Sequence, residues 1–324
     1  MPRRKWNGWG YEGEGIPRER VLRWLKTVEP WLRISPEEFR PPVPLEALSV
    51  PPPRVVPEIP GFQGRVETST YERALHAAGR SFGDLVRLRT GRGLRFPDAV
   101  VYPEEEADLL RLLEAAERQS LALIPYGGGT SVVGGVEPEV PPGFHGVISV
   151  DMARMNRIRW IDPVGGRVRA QAGIRGPALE EALRAEGMAF RLYPQSFQMS
   201  TLGGWIAARA AGHFATAWGR IESRVESLRL VSPRGVVETR EVPASAAGPD
   251  LRAWWMGSEG AFGFITEAVV RTTRPPVAKR ATGFRFPARS PGWRRSGLGP
   301  AAGSNGRAGC QRWRRWRGCA GGPA

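Results

Sequence analysis

The spacing of apolar residues changes several times along the chain, and each change predicts an element. PDAVVYP (Pro97–Pro103) is a short apolar run closed by proline at both ends, the length of a buried strand. EEEADLLRLLEAAERQS follows and places Leu109, Leu110, Leu112, Leu113 and Ala116 on one broad face. Its acidic start suits the positive end of a helix. LALIP (Leu121–Pro125) predicts the next strand. Strand, helix, strand and a glycine loop thus occur in order, a βαβ-like unit that points to an α+β or α/β fold.

Downstream, GVISV (Gly146–Val150), RIRWI (Arg157–Ile161) and RVRAQA (Arg167–Ala172) predict strands. PALEEALRAEG (Pro177–Gly187) predicts a helix with proline at its start and glycine past its end. STLGGWIAARAAG opens on Ser200 and Thr201, whose hydroxyls can cap a helix. VESLRLVSPRGVVETRE predicts two strands around a turn at Ser232–Gly235, and GFITEAVVRTT (Gly263–Thr273) predicts a last strand. Upstream, Pro17 begins a rough helical face formed by Val21, Leu22, Trp24, Leu25 and Val28. Residues 41–60 hold eight prolines and predict an extended strap over the domain surface. Tyr71 to Arg89 predicts helix, and no internal repeat is visible.

The 324 residues suffice for about two domains, with 41% hydrophobic and 24% charged positions, as in a soluble globular protein. No apolar run approaches the roughly 20 residues that span a bilayer. MPRRKWNGWGYEGEG has basic residues with no apolar stretch behind them, unlike a secretory signal. The expected location is therefore cytoplasmic, with peripheral contact at a membrane. Cys310 and Cys319 are the only cysteines, too few for a disulfide scaffold or a four-ligand zinc site. Net charge is +15, but residues 288–324 carry eight arginines and no acid, leaving +7 on the rest. That milder surplus suits an anionic substrate or an acidic membrane surface as well as a nucleic acid, and no specific nucleic-acid partner is expected.

PYGGGTSVVGGV (Pro125–Val136) carries the strongest chemical signal. Three glycines after a strand let backbone amides approach a pyrophosphate, and Thr130 and Ser131 add hydroxyls. A plain glycine turn is the alternative. A Walker A loop needs Lys then Ser/Thr after its last glycine, and no lysine occurs here. A Rossmann fingerprint opens a helix, which VVGGVEPEVPPG cannot continue.

PDAVVYP, PYGGGTS, QSFQMSTLGGWIAARAAG, SPRGVVETRE and GPDLRAWWMGSEGAFGFITEAVVRTTRPP, in that order and spacing, resemble the FAD-binding (PCMH-type) domain of the vanillyl-alcohol-oxidase superfamily. Within it, RRKWNGWG, STLGGW and GRIESRVESLRLVSPRG are most similar to the alkyl-dihydroxyacetonephosphate synthases. The resemblance covers roughly residues 3–10 and 70–287 and implies an α+β fold of two subdomains. It implies that Pro125, Tyr126, Gly127, Gly128, Gly129, Thr130 and Ser131 wrap the FAD pyrophosphate. Gln195, Ser196, Phe197, Gln198, Met199, Ser200 and Thr201 would line the rest of the cofactor. So would Ala208, Arg209, Ala210 and Ala211, and then Glu259, Gly260, Ala261, Phe262, Gly263, Phe264 and Ile265. The family usually has Asp where Gln195 stands; the amide keeps hydrogen-bonding capacity and loses a charge.

Some superfamily oxidases attach FAD through a histidine near the pyrophosphate loop. This loop has none, so FAD is expected to be non-covalent. His76 and His145 read as structural or solvent-facing, and His213 as the histidine that could approach the flavin. Trp205, Trp218, Trp254 and Trp255 read as core or cofactor-wall residues rather than a stacking platform for bases. Arg209 is the arginine expected nearest the flavin, where a cation stabilises the reduced anionic form.

The expected organisation is a helical and proline-rich segment (1–60), a helical lead-in (61–95), the FAD-binding domain (96–276), the start of a cap domain (277–287) and an aberrant basic tail (288–324). That tail has almost no aliphatic residue and cannot bury a core, so it is expected to be disordered. It reads as a frameshift product, with a genuine basic tail as the alternative. In the family a cap domain and a C-terminal segment supply a tyrosine, arginines and histidines used in catalysis. The cap domain is expected to be missing here, and the chain to bind FAD without competent turnover. The implied reaction exchanges the acyl chain of acyl-dihydroxyacetonephosphate for a fatty alcohol, giving an ether-lipid precursor from a small-molecule or lipid substrate. A homodimer is a further expectation. The alternatives are an FAD-linked glycolate or D-lactate oxidoreductase and, from another class, a basic nucleic-acid-binding protein.

Overall fold

The computed structural model describes residues 3–32 and 35–278. Expectations for the basic tail and both cysteines therefore lie outside the described residues, and those for the start of a cap lie almost wholly outside them. The first helix, α1 (Arg18–Leu32), starts after Pro17 and buries Leu25 and Val28, leaving Trp24 half exposed. The proline-rich strap runs extended apart from one turn at Leu45–Ala47. Polar contacts tie it down: the Arg54 amide and guanidinium both reach Asp98, and Arg73 donates to the Pro51 carbonyl.

Two sheets follow. The first holds β1 (Arg65–Glu67), β2 (Ala99–Tyr102), β3 (Leu121–Tyr126) and β4 (Gly146–Asp151) in the order β1-β2-β4-β3. The later three are parallel, with β4 inserted between β2 and β3, and β1 is antiparallel at the edge. Such near-continuous apolar runs suit strands covered on both faces. The stretch Tyr71–Arg89, expected as one helix, is two: α2 (Thr70–Leu75) and α3 (Phe82–Thr90). Ser81 restarts the helix through a capping box, its hydroxyl accepting from the Asp84 amide and the Asp84 carboxylate accepting from the Ser81 amide.

The helix α4 (Glu106–Gln119) connects β2 to β3 and buries Leu109, Leu112, Ala115 and Ala116. The second sheet is antiparallel, in the order β5-β6-β9-β7-β8. Its strands are β5 (Ile158–Asp162), β6 (Arg167–Gln171), β7 (Val225–Ser232), β8 (Gly235–Glu238) and β9 (Phe264–Arg271). The helices α5 (Gly176–Ala185) and α6 (Leu202–Ala207) cover it. Its core gathers Leu179, Leu183, Phe190, Leu202, Trp205 and Leu228.

The two halves are joined by packing and charge. Val231 and Phe264 of the second sheet share a core with Leu109, Leu112 and Ile148 of the first. Glu106, in the first turn of α4, accepts three bonds from Arg229, two from Nε and one from Nη2 at 2.8–3.0 Å, and one from the Thr266 hydroxyl. Among the described residues no helix is long and apolar enough to cross a membrane.

Candidate functional site

At the C-terminal end of β3 the chain turns out of the parallel sheet into Gly127–Ser131, and this loop faces the start of α6. The approach is too close for side chains. A Cβ on Gly127 would collide with the Thr201 hydroxyl, one on Gly128 with the Met199 carbonyl, and one on Gly129 with the Tyr126 hydroxyl. Gly129 also sits at φ +65°, where L side chains are strained.

The loop encloses one wall of a cavity of about 330 Å³, within the roughly 300–1,000 Å³ of small-molecule sites. Its other walls are Pro194, Ser196, Ser200, Thr201, Gly203, Gly204 and Trp205, then Ala207, Ala208 and Ala210, then Glu259, Gly260, Gly263 and Ile265. Met152 and Ala172 close the floor. Thr201 caps α6 by accepting from the Gly204 amide, and Trp205 donates to the Ser200 hydroxyl at 2.7 Å, which fixes the indole as a wall.

Three features indicate that an anion belongs there. The amides of Gly128, Gly129 and Thr130 donate to no acceptor among the described residues, although Gly128 and Gly129 are buried. Buried amides rarely go unpaired, and successive amides of this kind form an anion nest. Glu259 is the one acidic residue of the lining, and its carboxylate lies against Gly135, past the three-glycine run. Tyr193, Arg209 and Glu259, at or beside the cavity walls, hold φ of +42°, +47° and +50°. Positive φ at a bulky residue is strain of the kind concentrated at ligand sites.

This arrangement matches known proteins. Residues 97–240 fit the family model of the FAD binding domain. These residues form an FAD binding domain. FAD is its cofactor, and the glycine cradle with its unpaired amides fits the pyrophosphate that FAD carries. The alkyldihydroxyacetonephosphate synthase of Trypanosoma brucei brucei is 37% identical over 309 residues, covering 87% of this chain and 50% of that protein. A solved alkyldihydroxyacetonephosphate synthase superposes with a TM-score of 0.73 at 32% identity, over 85% of this chain and 55% of that one. The mitochondrial D-lactate dehydrogenase [cytochrome] of Arabidopsis thaliana is 32% identical over 198 residues, covering 60% of this chain and 34% of that protein. The chain thus spans about half the length of the synthases it matches.

Of the FAD-domain residues expected at the cofactor, the structure brings Pro125 through Ser131 to the cavity, together with Ser196, Ser200, Thr201, Ala208, Ala210, Glu259, Gly260, Gly263 and Ile265. It places Gln195, Gln198 and Ala211 on the exposed surface outside the lining, and Met199 in the core with its carbonyl against Gly128. Phe197 packs over Gly176 and Trp205. Ala261, Phe262 and Phe264 face a separate groove on the far side of Gly260. Arg209 does not line the cavity: its Nε donates to the Met256 carbonyl and its Nη2 to the Ala253 carbonyl.

Trp218 and Trp254, read as core or wall, are exposed. Exposed aromatic rings at the surface look the same in sequence as buried ones. His76 is fully buried, between the Glu72 carbonyl and Asp151, and lies outside the lining. His145 and His213 are exposed, away from it too. Val132, Val133, Gly135 and Val136, within the glycine motif but not expected at the cofactor, line the cavity, as do Met152, Ala172, Pro194 and Ala207. For the residues after Ser131, adjacency to the glycine loop was the available signal; Met152 and Ala172 gave none.

Proposed function

We propose that this chain is the FAD-holding part of an ether-lipid-forming activity of the alkyldihydroxyacetonephosphate synthase type. In that reaction the acyl chain of acyl-dihydroxyacetonephosphate is exchanged for a fatty alcohol. The observation that carries the reading is the extent of similarity. The match to a synthase runs over 87% of the chain, whereas the match to a D-lactate dehydrogenase runs over 60%. That similarity at 60% supports a second reading, an FAD-linked 2-hydroxyacid oxidoreductase.

Bound FAD supplies the ring chemistry of the reaction. The chain's own residues supply binding and orientation. The amides of Gly128, Gly129 and Thr130 would hold the pyrophosphate, with the Ser131 and Thr201 hydroxyls beside them. Trp205 and Ile265 would exclude water from the adjoining wall. No histidine or cysteine lines the cavity among the described residues, which supports non-covalent retention. The lipid or small-molecule substrate, contact with an anionic membrane and a cytoplasmic location belong to the same proposal.

Visible spectra of the purified full chain before and after acid precipitation test it. Flavin released into the supernatant is the expected result, together with loss of flavin uptake in Gly128→Val. Ether lipid formed from acyl-dihydroxyacetonephosphate and a fatty alcohol would support the synthase reading. Flavin bleached by glycolate or D-lactate, with no ether lipid, would replace it with the second.

A further inference from the structure

Two arginines lie directly behind the glycine loop, and both are buried: Arg4 is 7% exposed and Arg80 4%. Neither makes an ion pair among the described residues; Asp151 attracts Arg4 and Asp84 attracts Arg80 only from beyond contact, Asp151 bonding His76 and Asp84 bonding Arg87. Arg4 Nη2 donates to the Gly128 carbonyl at 2.7 Å, and Arg80 offers its backbone amide to the Ser131 carbonyl at 2.7 Å. The Arg80 guanidinium bonds only the Ala78 and Gly79 carbonyls. Arg4 Nε and Arg80 Nη2 have no hydrogen-bond partner among the described residues. A buried cation without an anionic partner is costly, and so is a buried donor left open. Two of them at the back of one loop favour a further negative charge on its open side.

Arg4 reaches this position because the N-terminus forms a hairpin. Arg4 bridges Tyr11, Lys5 donates to the Gly10 carbonyl, and Trp6 inserts into a core with Leu48, Leu75 and Leu88. The Tyr71 hydroxyl holds the Arg4 carbonyl at 2.9 Å. In a trans peptide the C=O and N–H point opposite ways. The Gly128 carbonyl that takes the Arg4 proton therefore belongs to the same plane as the Gly129 N–H, which points away from Arg4. The guanidinium polarises that peptide and strengthens its donor.

We propose that Arg4 and Arg80 are positioning residues for the cofactor's pyrophosphate, acting through the glycine loop from behind, with the N-terminal hairpin as the element that delivers Arg4. The proposal rests on FAD being held at this loop. Asp151 and Asp84 attract the two guanidiniums without pairing with them, and the pyrophosphate brings further negative charge, so the anion and the two cations stabilise each other across the loop.

The full chain, stripped of flavin, tests this with two ligands. FAD affinity is read by flavin fluorescence, and inorganic pyrophosphate binding by the rise in the thermal midpoint. Arg4→Met and Arg80→Met should each weaken FAD by about tenfold or more, as loss of a charge in a low-dielectric site requires. The double variant should lose the midpoint rise with pyrophosphate. Arg80→Lys, which keeps the charge, should hold FAD within about threefold of the wild type. Met variants that unfold normally and bind FAD as the wild type does would overturn the proposal. So would a wild-type chain that binds FAD yet gains nothing from pyrophosphate, or a Lys variant as weak as the Met variant. A wild-type chain that takes up no FAD would overturn the cofactor placement itself.

Discussion

Two cavities meet back to back at Pro125, Gly260 and Gly263, and they differ in kind. The inner one, about 330 Å³, is walled by the glycine loop, the first turn of α6 and the strained turn at Glu259. The outer one, about 700 Å³, is a groove lined by Leu113, Leu123, Leu251, Trp254, Phe262 and Phe264, with Arg234 its only charged lining residue. The larger space offers apolar area and no converging donors. The smaller offers unpaired buried amides and, behind them, buried cations. The contrast shows that convergent polar groups, more than volume, mark a site for a charged ligand.

Tryptophans at the two cavities give the widest predicted separation. Trp205 is 2% exposed, with its ring near those of Phe190 and Phe197 and its indole N–H on Ser200. Trp205→Ala should cost about 3–5 kcal/mol in denaturant unfolding, the range for truncating a large buried aromatic. Flavin retention should fall with it. A loss below about 1 kcal/mol would mean that the inner wall is not part of the core.

A smaller effect is expected at the rim of the inner cavity. Arg87 of α3 bonds Glu137 at 2.5 Å and Asp84 at 2.6 Å, which fastens the segment following the glycine loop. The hydrogen bond from Arg87 holds the Glu137 carboxyl below its ordinary value. Burial acts to raise Asp84, but hydrogen bonds from Arg87 and Ser81 outweigh it, and Asp84 is also lowered. Depressed folded-state values mean that this stabilisation is complete above the unfolded carboxylate range, near pH 4. It is lost as pH falls through the folded values. Arg87→Met should therefore cost about 1.5–3 kcal/mol at neutral pH, and much less under acid conditions where both carboxyls are protonated. Urea titrations at the two pH values check this; an equal cost at both would remove the clamp from the account.

Much of this was legible in the residues themselves. The strands flanking the glycine loop show as apolar runs between prolines and glycines, and the loop shows as three glycines followed by hydroxyls. The insertion of β4 between β2 and β3 was not legible, because continuous apolar runs do not encode neighbour order. The edge strand β1 has three residues and no alternation to read. The break between α2 and α3 had a signal, Ser81 three residues before Asp84, that the helical periodicity around it obscured. Arg209 fell inside a matched segment, yet its guanidinium is taken up by backbone carbonyls, which spacing does not disclose. The seat of Arg4 on Gly128 joins residues 124 positions apart, so only the fold could bring them together.

The smallest effect should come from the outer groove. Trp254 is 67% exposed, on the single helical turn Arg252–Trp255 beside Phe262, and its ring contributes little to the core. A surface substitution of this kind changes stability by about 0.5 kcal/mol or less. Trp254→Ser should accordingly leave the unfolding midpoint and the FAD dissociation constant nearly unchanged, while reducing the binding of a hydrophobic dye to the full chain. The two cavities nevertheless share Gly260, whose backbone packs on Pro125 and allows no Cβ. A rearranged outer groove could act on the inner one only through that hinge of Pro125 and Gly260. Weakened FAD binding in Trp254→Ser, with stability intact, would show that the groove and the flavin site are mechanically coupled and that their separation in character is not a separation in function.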